Sequence, residues 1–256
     1  MTRQLKIGFL LALQFFSVIP VHKQFPMEKK YITVMYGMLP ILGLLFGSIM
    51  ATIVWLLRDA TDSSSLIIGF IVVLIGIALT GGLHMDGLAD TGDAYFSYQD
   101  RDKRLAIMGD PRIGAFGTMV LVMAIVGKII LVAEIINEVS LLWVLLIPVF
   151  SRIGLLALFS FTKSAKPDGV AAFFQQRVSH DKLRLVAIAA FVFSFMLLVW
   201  STPFLAVIII IIFLIGFTWF YRAWCIRNFG GVTGDLLGAY VEGVEILLWI
   251  ILLFFV

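Results

Sequence analysis

Seven apolar runs divide this chain: Tyr31 to Leu57, Leu66 to Thr80, Ala115 to Ala133, Ser140 to Phe161, Leu185 to Trp200, Pro203 to Phe220 and Leu236 to Val256. Their lengths bracket the roughly 20 residues needed to cross a hydrocarbon core. A backbone in lipid must satisfy its own N–H and C=O groups, which leaves helices or a closed barrel. The runs lack the alternation of barrel strands. They predict an all-α, polytopic integral membrane helical bundle of about seven transmembrane helices, forming a single domain over residues 1–256. Composition agrees: 61% of residues are hydrophobic and 14% charged, against about 45–50% and about 25% in soluble domains. An earlier segment, Ile7 to Ile19, is shorter and has cations on both sides, Arg3 and Lys6 before it and Lys23, Lys29 and Lys30 after. That pattern predicts an N-terminal interfacial or re-entrant helix. The run reaches Pro20 without a small-residue cleavage site, so no signal peptide is expected. The single cysteine, Cys225, excludes an intrachain disulfide.

Charge sets the orientation. If the stretch Gly81–Gly117 faces the cytoplasm, sixteen of the nineteen basic residues fall on that side. They lie from Arg3 to Lys30, from Arg101 to Arg112, from Lys163 to Arg184, and at Arg222 and Arg227. The opposite loops hold Arg58 with Asp59, Asp62, Glu134 and Glu138. This asymmetry predicts a multi-pass protein of a bacterial or archaeal cytoplasmic membrane with its polar loops inside. The pI near 9.0 therefore reflects basic loops facing lipid headgroups and no nucleic-acid partner. Membrane lipid is an expected partner, and homo-oligomer formation is left open. Lys128 and Arg152 fall within runs. Lys128 lies toward the far end of its run and is expected to snorkel outward.

The polar chemistry concentrates in Gly81–Gly117, which holds Asp86, Asp90, Asp93, Asp100, Asp102 and Asp110. Asp86, Asp90 and Asp93 follow i, i+4, i+7 spacing and share a helix face. Like charges stacked this way call for a cation, and hard oxygen donors suit Mg²⁺. Asp110 in the same stretch joins these three as a ligand candidate. The alternative is a solvated acidic loop. His84 is a candidate base or hydrogen-bond partner of Asp86. Arg112, just before a span, is a candidate phosphate contact or an ordinary anchor on the basic side. Arg152 lies about ten residues, or roughly 15 Å, inside its run. At that depth it requires a carboxylate or a bound anion. Asp235, Gly238, Glu242 and Glu245 step along one face of the last run. The two glutamates either pair with Arg152 or complete a metal site. Gly230–Gly234 has the glycine content of a phosphate cradle, a weak signal alone. Lys166-Pro167-Asp168-Gly169 is a turn by its chemistry.

Taken together, His84-Met85-Asp86-Gly87-Leu88-Ala89-Asp90-Thr91 with Asp93, and Arg104 through Gly117, resemble the cobalamin synthase family, the adenosylcobinamide-GDP ribazoletransferases. The opening Ala12-Leu13-Gln14-Phe15-Phe16, the Lys166–Gly169 turn and Thr233-Gly234-Asp235 with Gly238 and Glu242 continue the resemblance along nearly the whole chain. Ala94 stands where the family pattern has glycine, and Gly109 where a basic residue is common. The resemblance implies a Mg²⁺-dependent transferase. In this reaction a ribose hydroxyl of α-ribazole, or of its 5′-phosphate, attacks the cobinamide-side phosphorus of adenosylcobinamide-GDP. GMP is released, and adenosylcobalamin or its 5′-phosphate forms. It implies Asp86, Asp90, Asp93 and Asp110 as metal ligands and His84, Asp93 and Asp235 as catalytic groups. Arg112, Arg152, Lys166, Asp168, Thr233 and Glu242 would contact substrate. Two alternatives remain at this point: a CDP-alcohol phosphotransferase-like lipid enzyme, and a transporter without catalysis.

Overall fold

A computed structural model describes residues 2–97, 100–199 and 202–255. The expected run ends at Trp200 and Val256, and the joining Ser201, lie outside the described residues. Among those described, the chain forms helices and no β-strand: α1 (Thr2–Phe16), α2 (Lys29–Gly37), α3 (Leu39–Ala60), α4 (Ser65–Thr80), α5 (Leu83–Ser97), α6 (Arg101–Ile107), α7 (Ala115–Ile135), α8 (Leu141–Phe161), α9 (Val170–Gln175), α10 (His180–Val199), α11 (Phe204–Phe229) and α12 (Gly234–Leu252).

Five segments are long and apolar enough to cross a bilayer: Lys29–Ala60, α7, α8, α10 and α11. A sixth arises if α4 and α5, bent by 92° at their junction, count as one broken span. The expected count of seven is therefore not reached on length and composition. The shortfall lies in α12, which carries Asp235, Glu242 and Glu245 within its 19 residues. The first span is interrupted at Met38, beside Pro40 in the opening turn of α3; proline has no N–H to continue the ladder from α2. Helix α1, at 15 residues, spans about 22 Å, short of a bilayer core. It buries Gly8, Leu11, Ala12 and Leu13, with Gly8 set against Val34 and Met35 of α2.

Helix α8 is the axis of the bundle. Of its most apolar stretch 72% is buried, against 17% for α7 and 22% for α11, so α7 and α11 turn large side chains such as Met123 and Trp219 outward. In lipid those residues lose nothing by exposure. At the end of α8 the loops are sewn together. Ala165 N–H donates to the Val232 carbonyl (2.8 Å), and Val232 N–H donates to that of Lys163 (2.9 Å). Gln175 accepts from Ser164 N–H (2.9 Å) while its amide donates to the Phe159 and Thr162 carbonyls. Arg101, opening α6, donates to Ala165 (3.4 Å) and packs on Gly230. Three segments far apart in sequence thus close over one end of the bundle, the basic side.

Candidate active site

The site begins with a turn. Gly81 and Gly82 sit at φ 64° and 78°, left-handed values that L side chains resist. Their N–H groups bond back to Ala78 and Ile77 and end α4, so α5 leaves at a steep angle. The segment after α1 braces the corner, with Val18 N–H donating to the Leu79 carbonyl (3.0 Å). Between the end of α1, this corner, α5 and α7 lies a cavity of 530 Å³. Such a volume falls within the range of small-molecule sites, about 300–1,000 Å³. Asp86 lines it together with Ser17, Thr80, Gly81, Gly82 and Ile113.

A second helix end supplies another carboxylate. Thr233 caps α12 by accepting from Leu236 N–H (3.2 Å). Asp235 follows in the first turn, its carboxylate 3.3 Å from the Thr233 hydroxyl. Gly87 lies directly on the Asp235 main chain: a Cβ there would stand 2.6 Å from the Asp235 carbonyl oxygen. Helices α5 and α12 therefore touch through backbone, and Asp90 lies within electrostatic reach of Asp86, Asp235 and Asp93. Lys166 is a cation within electrostatic reach of Asp235 but outside ion-pair distance. Its ammonium is 3.5 Å from where a Cβ of residue 109 would be, so it occupies space next to the position at which a basic side chain is common in the family pattern. Asp86, Asp90 and Asp235 offer only oxygen donors. Among the described residues, no three His, Cys, Asp or Glu side chains converge closely enough to hold an ion unaided.

The other expected site residues are placed differently. Asp93 is buried, and its two carboxylate oxygens accept from Gly114 N–H (2.6 Å) and Gly117 N–H (2.8 Å). It caps α7 from outside, satisfying donors that a helix start leaves open and meeting the positive end of the dipole. Side chains at 114 and 117 would run into the Asp93 carboxylate, which explains both glycines. Asp93 is thus an anchor whose two carboxylate oxygens each already accept a main-chain N–H. Asp110 turns to Arg112 instead of the other aspartates. Its Oδ1 accepts from the Arg112 N–H and Nε, and its Oδ2 from Nη2 (2.7 Å). Those hydrogen bonds hold the Asp110 carboxyl down at about 2. Arg112 itself projects into solvent. Asp168 is exposed on its turn. Thr233 is buried as a helix cap rather than open to substrate.

Deeper in the bundle Arg152 and Glu242 are engaged in ion pairs with protein groups. Lys128 Nζ donates to Glu242 Oε2 and Glu245 Oε2, both at 2.8 Å. Arg152 pairs with Glu245 Oε1 and with Ser151, which also donates to Glu245 (3.1 Å). Lys128 therefore does not snorkel; it is the centre of a buried, charge-balanced quartet joining α7, α8 and α12. His84 lies between this quartet and Gly238, 5% exposed. Its Nδ1 has no hydrogen-bond partner among the described residues, and it is enclosed rather than open to the cavity. Sequence reasoning missed Lys128, although Glu242, Glu245 and Arg152 leave one negative charge unmatched and so demand another cation at that depth.

The fold and site define a multi-pass membrane protein that gathers carboxylates beside a cavity under its basic loops. The profile of the cobalamin-5-phosphate synthase family matches residues 8–253. The adenosylcobinamide-GDP ribazoletransferase of Geobacillus thermodenitrificans (strain NG80-2) is 34% identical over 254 residues, covering 96% of this chain and 95% of that protein. Proteins of the same name from Geobacillus kaustophilus (strain HTA426) and Clostridium tetani (strain Massachusetts / E88) are 31% and 34% identical, covering 94% and 93% of this chain and 93% and 92% of their own. No solved structure matches. The chain belongs to the cobalamin-5-phosphate synthase family, and the lipid-phosphotransferase and transporter alternatives are not favoured.

Proposed function

We propose that this chain is an adenosylcobinamide-GDP ribazoletransferase working at the Asp86 cavity, with its basic side toward the cytoplasm. It joins adenosylcobinamide-GDP to α-ribazole, or to the 5′-phosphate, in the step that assembles the nucleotide loop of cobalamin. One observation carries this reading: Asp86 lines the 530 Å³ cavity with Asp90 and Asp235 within electrostatic reach of it, in a chain of this family.

The ribose hydroxyl attacks the cobinamide-side phosphorus. The bond from that phosphorus to the bridging oxygen breaks, GMP departs with the electron pair, and the new phosphodiester forms. Catalysis of such a transfer rests mainly on positioning and on neutralising charge. Asp86, Asp90 and Asp235 would hold Mg²⁺; the fit is in their all-oxygen chemistry and in the main-chain contact between their helices. Mg²⁺ commonly takes one or two carboxylates and completes its shell with water and substrate phosphate. When bound, it would neutralise pyrophosphate charge. Lys166, within electrostatic reach of Asp235, and the exposed Arg112 would meet phosphate oxygens. With Asp86 taken up as a ligand, Asp93 clamped and His84 enclosed, the hydroxyl proton would leave to solvent through the open cavity.

The test uses purified protein in liposomes with adenosylcobinamide-GDP, α-ribazole or its phosphate, and Mg²⁺, following GMP and corrin product together. Equal amounts of both, abolished by EDTA and restored by Mg²⁺, are expected. No corrin product from folded protein would overturn the assignment, and activity untouched by EDTA would overturn the metal.

A further inference from the structure

Apart from the helices that line the Asp86 cavity, α8, α10, α11 and α12 border an apolar groove of 610 Å³. Ile153, Ala157, Phe191 and Leu214 are among its walls. Thr218 and Tyr240 also line it, but their hydroxyls bond to each other at 2.6 Å. Water filling such a space would need polar partners, and the walls offer none until the basic end. A polar substrate meets the same difficulty. The groove lies within the lipid-crossing helices, so its natural occupant is a hydrocarbon chain.

The basic end is different. Arg222 lines the groove there and donates Nη2 to the Phe161 carbonyl (3.3 Å). Arg184 lies one turn before Ala187 and Ile188, which also line the groove. Its guanidinium stacks 4.7 Å from the Phe161 ring centroid, and it donates to the Ser160 carbonyl (3.1 Å) and to Asp181 (3.1 Å). Asp181 is itself solvent-exposed. The Nε atoms of both arginines are buried without a hydrogen-bond partner among the described residues. Two guanidinium groups thus flank Phe161 at the mouth of a hydrocarbon slot, fixed there by the Ser160 and Phe161 carbonyls. Trp219, one turn from Arg222 and turned outward, marks the depth at which aromatic residues meet headgroups.

We propose that this groove binds one anionic phospholipid, its acyl chain between α8, α10 and α11 and its phosphate at Arg184 and Arg222. The chemistry is complementary at both ends, with hydrocarbon against apolar walls and a phosphodiester anion against two guanidinium groups.

Native mass spectrometry of the full-length protein in detergent tests this with phosphatidylglycerol and phosphatidylcholine of identical chains. Phosphatidylglycerol is retained preferentially. Arg184→Gln and Arg222→Gln each weaken its binding about fivefold, and Ile215→Trp, which fills the groove, removes binding of both lipids. Equal retention of the two lipids, unmoved by the arginine variants, would reduce the site to unspecific solvation and overturn the proposal. A variant-free arm uses wild-type protein in liposomes with a photoreactive phosphatidylglycerol. Labelling confined to α8, α10 and α11, and competed by phosphatidylglycerol but not phosphatidylcholine, supports the site. Labelling spread over every lipid-facing helix, displacement by adenosylcobinamide-GDP, or crosslinking to a second copy of the chain would each refute it.

Discussion

Replacing Lys128 with methionine probes the ion quartet most sharply. The change keeps most of the side chain's length and removes its charge together with the two hydrogen bonds it donates. It leaves Glu242 and Glu245, both nearly enclosed, with Arg152 as their remaining buried cation. Removing one member of a buried ion pair costs about 3–5 kcal/mol, because the partner charge stays desolvated and unmatched. For a chain of this size each kcal/mol moves Tm by about 2–4 °C. The expected loss is therefore roughly 6–20 °C, read by thermal unfolding in detergent. Adding Glu242→Gln restores neutrality, leaving Arg152 with Glu245, and recovers more than half of the loss. A single variant within about 2 °C of wild type, or a double variant no better than the single, would refute the claim that charge balance holds α7, α8 and α12 together.

Other predictions follow from the same geometry. Gly117→Ala puts a Cβ 2.8 Å from the Ala89 carbonyl and onto the Asp93 carboxylate. It lowers stability by about 1–3 kcal/mol in the same unfolding assay. Asp93→Asn leaves one of two buried N–H groups without an acceptor, costing about 1–3 kcal/mol, yet leaves the Mg²⁺ dependence of turnover where it was. Arg112→Ala raises KM for adenosylcobinamide-GDP about tenfold with kcat little changed, as steady-state kinetics will show. For Asp110 the folded carboxyl is held at about 2, below the unfolded value near 4. Its contribution to stability is present above pH 4 and is lost as pH falls toward 2. Asp110→Asn therefore leaves the pH dependence of Tm between about pH 5 and 8 unaltered.

The spans were legible because hydropathy reports burial in lipid directly. Helix α12 was legible as an apolar run, but its carboxylates could be assigned only by knowing their partners. Lys128 was misread for a physical reason. Snorkelling considers a cation's distance from its own helix end, whereas the decisive quantity is the charge it meets from neighbouring helices. Spacing places Asp93 on the same face as Asp86, but does not reveal the two main-chain N–H groups that its carboxylate meets. Seven residues along a helix are also about 10 Å, enough to move from the cavity to the start of α7. The signal lay downstream, in Gly114 and Gly117, whose missing side chains make room for its carboxylate. The proximity of Asp235 to Asp90 depends on backbone contact at Gly87, which no spacing within one helix encodes. The loops that bring Lys166 toward Asp235 meet through two hydrogen bonds between residues nearly seventy positions apart in sequence.

The measurement that tests the central claim most directly is turnover and Mg²⁺ dependence of Asp90→Asn and Asp86→Asn in liposomes, beside a check that each variant inserts and unfolds as wild type does. The substitutions keep size and remove charge. If the cavity face of α5 holds the metal and substrate phosphates, kcat falls by about 100-fold or more and Mg²⁺ affinity drops by about 10-fold or more, with Tm preserved. Full activity with unchanged Mg²⁺ dependence in both variants would contradict the account and move the chemistry away from this cavity.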